Sequence, residues 1–197
     1  MIAVPLTCHI QSVTKTPIDE ELCLIRAVAA SDRIAFEKLF RRFHPRIYKF
    51  AHRMVQDHQL AEEVTGDTLY AVWTGAKNFK EQSKASTWIL GIAYKRALKC
   101  LQKNQRHVAK RESDVELDTL TSESPEGNPE TFANTALENQ RLLLALSTLS
   151  TDHRAVLELI ALGHSCSEIA GIVDCPENTV KTRTFHARRH LRKALQE

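Results

Sequence analysis

Lys181, Arg183, Arg188, Arg189, Arg192 and Lys193 crowd the stretch from Thr179 to Gln196, which holds no acidic side chain. Guanidinium and ammonium groups at this density hold phosphates, and Thr182, Phe185 and His186 among them offer hydrogen bonds and an apolar edge to bases. The chemistry on offer is recognition of a nucleic acid, not bond making. The spacing 181/182 and 185/186 places four side chains on one face of a helix, near the N-terminal half that enters a major groove. Lys181, Thr182, Phe185 and His186 are thus the candidate base readers, and Arg183 and Arg188 the candidate phosphate ligands.

A helix with such a face needs a second helix to aim it. Just upstream, Ser167 offers an N-cap, and Glu168, Ile169, Ala170, Ile172 and Val173 make a short amphipathic helix. Asp174-Cys175-Pro176 forces a turn, because proline opens a helix but does not continue one. The basic helix follows, with Val180, Ala187, Leu191, Ala194 and Leu195 as its expected buried stripe. Short helix, tight turn and basic helix together spell a helix-turn-helix. A plain helical hairpin with a solvated basic face is the competing reading of the same charge pattern.

The remaining periodicity is helical. Thr16-Pro17-Ile18-Asp19-Glu20 starts a first helix after a loose tail, with Leu22, Ile25, Val28 and Ala29 inward. Ser31 or Asp32 caps the next, which is expected to bury Ala35, Phe36, Leu39, Phe40 and Phe43. Pro45 is expected to break that pattern before a third segment with Ile47, Tyr48, Phe50, Ala51, Met54 and Val55 inward. A fourth, Gln59 to Trp73, turns Leu60, Ala61, Val64, Thr68, Leu69, Val72 and Trp73 in and Glu62, Glu63 and Asp67 out. After a polar stretch from Lys77 to Ser86, a helix starting at Thr87 buries Trp88, Ile89, Ile92, Ala93, Ala97, Leu98 and Leu101. Its outer face carries Lys95, Arg96, Lys99, Lys103 and Arg106. A basic helix beside a polar loop and an aromatic suits single-stranded nucleic acid.

Residues 112–135 change composition: Asp114, Glu116, Asp118, Glu123, Glu126 and Glu130 join serines, threonines, Pro125 and Pro129. Such a segment buries little apolar surface and reads as a flexible tether. Helical periodicity resumes with Ala136, Leu142, Leu146 and Leu149, then Ala155, Val156, Leu159 and Ile160, and Gly163 ends it. The expected fold is all-α: a tail (1–18), a helical domain (19–111), the acidic linker (112–135) and a helix-turn-helix domain (136–197).

Composition excludes several classes. A net charge of only +3 argues against a blanket nucleic-acid coat, and the basic residues are instead concentrated in two helices. Five scattered cysteines without a C-x-x-C pair fit a reducing, cytoplasmic setting and no zinc site. The first fifteen residues lack a basic start and a long apolar core, so no signal peptide is expected, and no run has membrane-spanning length. No nucleophile–base pair, glycine-rich phosphate loop or metal motif is present, so neither an enzyme nor a cofactor is expected.

These residues resemble the ECF (extracytoplasmic-function) sigma factors, the two-domain class of the main bacterial sigma family. The resemblance runs from about Asp19 to Leu195. It rests on A-F-E-K-L-F at Ala35–Phe40, A-E-E-V at Ala61–Val64 with Trp73, and S-T-W-I-L-G-I-A at Ser86–Ala93. In the C-terminal half it rests on S-E-I-A, D-C-P and T-V-K-T-R-T-F-H-A-R-R-H-L. The chain departs from the family's pattern at Leu60, Glu63, Gly66, Lys95, Lys99, Gln102 and Asn178.

The resemblance implies a protein without catalysis of its own that binds core RNA polymerase, recognises −35 and −10 promoter DNA and helps melt it. It places core-polymerase binding on Glu62, Glu63 and Asp67. It places the −10 contacts on Lys80, Ser83, Lys84, Ser86, Thr87, Lys95, Arg96 and Lys99. The −35 contacts fall on Lys181, Thr182, Arg183, Phe185, His186 and Arg188, and the linker would follow the polymerase's product channel. Trp88 is expected to be structural. An anti-sigma factor or a Ser/Thr kinase is a further implied partner, because some members with a depleted acidic patch are switched on by threonine phosphorylation there. Thr65 and Thr68 are the candidates, with Thr65 expected to be the more exposed. The competing class is a free-standing helix-turn-helix regulator with an N-terminal sensor domain, which would share only the C-terminal half.

Overall fold

Asp32 sets the junction between the first two helices. Its carboxylate accepts from the N–H groups of Ile34 and Ala35 at 2.8 and 3.1 Å, satisfying two donors that a helix start leaves bare. The computed structural model of the chain describes residues 17–111 and 141–196, and among these every regular element is helical. The helices are α1 (Pro17–Ala29), α2 (Arg33–Val55), α3 (His58–Gly75) and α4 (Ala85–Arg111). Residues 141–147 form α5, followed by α6 (Thr151–Ala161), α7 (Cys166–Val173) and α8 (Glu177–Gln196). The expected tail before Thr16 and the acidic tether 112–135 lie outside the described residues.

The expected break at Pro45 is corrected: α2 runs through it. Proline inside a helix costs about 3 kcal/mol. Leu39, Phe43, Ile47, Phe50 and Met54 are buried on one continuous face, each contributing roughly 1.5–3 kcal/mol by leaving water. Burial therefore outweighs the lost bond, and Pro45 itself is exposed. Phe40 is not in the core as expected. It is 40% exposed, and Phe36, half-buried, packs edge-on against Trp73 with ring centres 5.0 Å apart.

In the C-terminal half the N-cap is Ser165, not Ser167. The Ser165 hydroxyl accepts from Glu168 N–H at 3.2 Å and Glu168 Oε2 accepts from Ser165 N–H at 2.9 Å, a complete capping box. Asp174 then adopts a left-handed conformation, with φ 53°, and turns the chain into α8. On α8 the buried residues are Val180, Thr184 and Ala187; Leu191 and Ala194 are half-buried and Leu195 is 52% exposed. Periodicity identifies a face, not how far the surface covering it extends. Thr184 joins the buried face because its hydroxyl donates to the Val180 carbonyl at 2.7 Å, which removes its polarity from the interior.

The two helical halves pack on each other. α6 lies against α2 and α7 against α4, and one apolar cluster runs from Ile25, Phe43 and Ile89 through to Val156, Ile169 and Val180.

Candidate nucleic-acid interface

α8 rests on α6 and α7 through Val180, Thr184 and Ala187, and this leaves the opposite face free. Lys181, Thr182, Phe185, His186 and Arg188 are all exposed on it, Phe185 by 64%. Phe185 is thus a large apolar ring left in water beside cations. Lys181 forms an i, i+4 ion pair with Glu177 at 2.9 Å, and the Thr182 hydroxyl donates to the Asn178 carbonyl at 3.0 Å. Phe185 and Arg188 also line a cleft of about 720 Å³ shared with Ile160, His164 and Cys166.

Arg183 does not join this face. Its side chain is three-quarters buried and pairs with Asp152 of α6 at 2.6 Å. Helical geometry explains the correction, since Arg183 sits on the flank facing α6, where an acid is waiting. The pair braces α8 against α6.

The second basic region is more mixed. Lys80, Ser83, Lys95 and Lys99 are exposed, as their assignment requires. α4 opens at Ala85, two residues before the expected Thr87, with Trp88 N–H bonded to the Lys84 carbonyl at 3.1 Å. Ser86 and Thr87 are therefore in the first turn, and both are buried. The Thr87 hydroxyl has no partner among the described residues, an orphan polar group at the helix start. Trp88 is half-buried and packs on Phe79 at 4.9 Å between ring centres, the structural placement expected of it. Lys84 is engaged by Glu168 at 2.8 Å. Arg96 lies 3.8 Å from Asp67, and Lys103 lies 3.6 Å from Glu63. These last two pairs are solvent-exposed and hold little energy, so a stronger partner displaces them readily.

Glu62, Glu63 and Asp67 point outward from α3 as expected. Beside them lies a groove of about 540 Å³ lined by Phe36, Phe40, Gly66, Leu69, Tyr70 and Trp73. Sequence periodicity missed it, having sent both phenylalanines inward. An exposed Tyr70 next to acids was the available signal.

Thr65 is corrected. It is 1% exposed and its hydroxyl donates to the Ala61 carbonyl at 2.7 Å; Thr68 is fully buried and bonds Val64 in the same way. Both share the inner face of α3 with Ala61, Leu69 and Val72, so a phosphate reaches neither without lifting the helix off the core. Thr65→Glu therefore costs about 3 kcal/mol or more, as a buried carboxylate without a partner. Thr65→Val costs about 1 kcal/mol, the ordinary worth of one hydrogen bond. Urea titration of both variants checks this, and a Thr65→Glu protein as stable as wild type would put Thr65 back on the surface.

Among the described residues no His, Cys, Asp and Glu side chains gather as a metal site, and no helix is long and apolar enough to cross a membrane. Cys23, Cys100, Cys166 and Cys175 are free thiols.

Comparison with known proteins agrees with this arrangement. The family described as Sigma-70 region 2 matches residues 39–107, and Sigma-70 region 4 matches residues 139–191, together more than half of the chain. The chain is 28% identical over 173 residues to the ECF RNA polymerase sigma factor SigM of Mycobacterium tuberculosis, covering 87% of this chain and 83% of that protein. It is 29% identical to SigL of the same organism, covering 88% and 96%. Among solved structures it matches the sigma factor RpoE of Bartonella quintana, crystallised with the anti-sigma factor NepR, with a TM-score of 0.67. That match is 25% identical and covers 82% of this chain and 96% of the other. Two sigma regions in this order, each holding one of the two basic surfaces, establish that the chain belongs to the sigma-70 family, in the ECF class of RNA polymerase sigma factors.

Proposed function

We propose that this chain binds core RNA polymerase in the cytoplasm and directs it to promoters through two separate DNA contacts. Lys181, Thr182, Phe185 and His186 read the −35 element in the major groove while Arg188 holds its backbone. Lys80, Ser83, Lys84, Lys95, Arg96 and Lys99 hold the −10 strand as it opens. Glu62, Glu63 and Asp67 meet the polymerase, with Phe40 and Tyr70 in the neighbouring groove as apolar anchors. In domain terms, residues 19–111 serve polymerase and the −10 element, 136–197 serve the −35 element, and 112–135 tether them.

The observation that carries this function is the exposed face of α8, where an unburied Phe185 stands among cations on a helix-turn-helix. Threonine phosphorylation is left out of it, because the Thr65 and Thr68 hydroxyls are buried and bonded. Adding the purified chain to core polymerase and a promoter library yields transcripts with shared upstream elements. If core polymerase gains no promoter preference while the chain alone binds duplex DNA sites, it acts instead as a free-standing regulator.

A further inference from the structure

Two of the basic side chains on α8 are already answered inside the chain, Lys181 by Glu177 at 2.9 Å and Arg183 by Asp152 at 2.6 Å. Arg188, Arg189 and Arg192 are exposed and have no ion pair or hydrogen bond among the described residues. Lys181, Phe185, Arg188 and Arg192 follow one another at i, i+4, i+7 and i+11, which makes a single stripe along a helix. That stripe is one wall of the cleft of about 720 Å³, and Ile160, His164 and Cys166, at the corner between α6 and α7, belong to the other.

The cleft joins two chemistries. Ile160, Cys166 and the Phe185 ring give it apolar surface, and three guanidinium groups without partners give it positive charge. At the corner His164 is 8% exposed, and its Nε2 has no hydrogen-bond partner among the described residues. A buried polar atom of this kind is costly until something bonds it. A cavity of this size and lining suits a small organic molecule with an apolar body and few polar groups. A DNA phosphodiester brings charge to the arginines but nothing to cover Ile160 and Cys166, and Arg192 lies outside the −35 contacts. The complement of the cleft is a flat apolar body carrying an anionic group. Guanidinium groups fit a carboxylate in a fork, and an aromatic ring fits beside Phe185.

We propose that the cleft between α8 and the α6–α7 corner is a binding site for an aromatic organic acid, with its carboxylate on Arg188 and Arg192 and its rings between Phe185 and Ile160. Lys181, Phe185 and Arg188 are also the −35 contacts, so an occupied cleft and −35 DNA exclude each other. The exclusion rests on the −35 role proposed above, whereas the site does not.

The probe is 2-naphthoate, with 2-naphthalenemethanol as the same rings without charge and acetate as the charge without rings. Isothermal titration calorimetry of the full chain at low salt is expected to give one naphthoate site with a Kd of about 0.1–1 mM, the range open to a ligand of this size. The alcohol binds about tenfold more weakly, and so does naphthoate to Arg192→Gln, because each loses a charge-assisted bond. With isoleucine methyl groups labelled for nuclear magnetic resonance, the Ile160 signal shifts under the naphthoate rings, and that of Ile34, 67% exposed on α2, does not. At three times its Kd, naphthoate weakens binding of a labelled mixed-sequence duplex about fourfold by mass action, and by less than about 1.5-fold in Arg192→Gln. Equal affinity for the alcohol, unchanged naphthoate affinity in Arg192→Gln, or a stationary Ile160 signal overturns the site. Naphthoate binding with no loss of duplex affinity overturns the exclusion. A chain that binds naphthoate in the cleft yet gives core polymerase no promoter preference supports the site and removes the proposed polymerase function.

Discussion

Replacing Arg154 by methionine destabilises the fold by about 3–5 kcal/mol. The guanidinium is buried and spends its donors on carbonyls: Leu146 at 3.0 Å, Leu149 at 3.1 Å, Ser147 at 3.4 Å and, across the two halves, Met54 at 2.8 Å. These carbonyls lie in the last turn of α5, in the bend just after it and at the end of α2, where a helix cannot satisfy them from within. Methionine fills much of the volume and supplies no donor, so the acceptors are left dry. For a chain of this size the loss corresponds to a fall in melting temperature on the order of 10 °C. Arg154→Lys recovers only part of it, because one ammonium does not reach carbonyls spread around a planar fork. Thermal denaturation followed by circular dichroism measures both. A change under about 1 kcal/mol would mean that water enters and replaces the guanidinium.

Lys181→Ala re-ranks the −35 sequences that the chain prefers, by about 1–3 kcal/mol at the base it reads, a factor of up to about a hundred. Arg188→Ala weakens all sequences together and lowers the slope of affinity against salt by about one. Arg183→Ala supplies the contrast that the structure demands. Its partner is Asp152, so the variant loses stability while its salt slope stays as in wild type. Lys181 must leave Glu177 to reach a base, and that exposed i, i+4 pair is worth only about 0.3–0.5 kcal/mol, so it does not hold the lysine back. Selection from a randomised −35 library, with affinities at several salt concentrations, tests the three variants. Unchanged ranking for Lys181→Ala would remove it from base reading, and a reduced salt slope for Arg183→Ala would return that arginine to the DNA.

Much of this was legible in local order. The helix-turn-helix could be read because a turn sequence such as Asp174-Cys175-Pro176 and the basic face around Lys181 and Phe185 are properties of neighbouring residues. The outward acids of α3 could be read because a turn of 3.6 residues assigns faces without reference to anything distant. The same local rules misplaced Pro45, Phe40 and Thr65. Whether a proline breaks a helix depends on what that helix buries, and α2 buries enough against α3 and α4 to run through it. Whether a phenylalanine is covered depends on how far a neighbouring surface extends. Whether a threonine faces water depends on which flank of a narrow helix the next one occupies, and the i−4 bond of Thr65 conceals its polarity.

The sequence by itself therefore determined the helices and their basic and acidic faces, since these follow from periodicity and turn chemistry within a few residues. Only the tertiary structure decided that Arg183 braces α8 on Asp152, that Arg154 closes two helix ends, and that Glu168 holds Lys84. Each of these joins groups from different elements, Glu168 to Lys84 from opposite halves of the chain, and such long-range pairing is set by packing of the apolar faces, which leaves no trace in the local pattern.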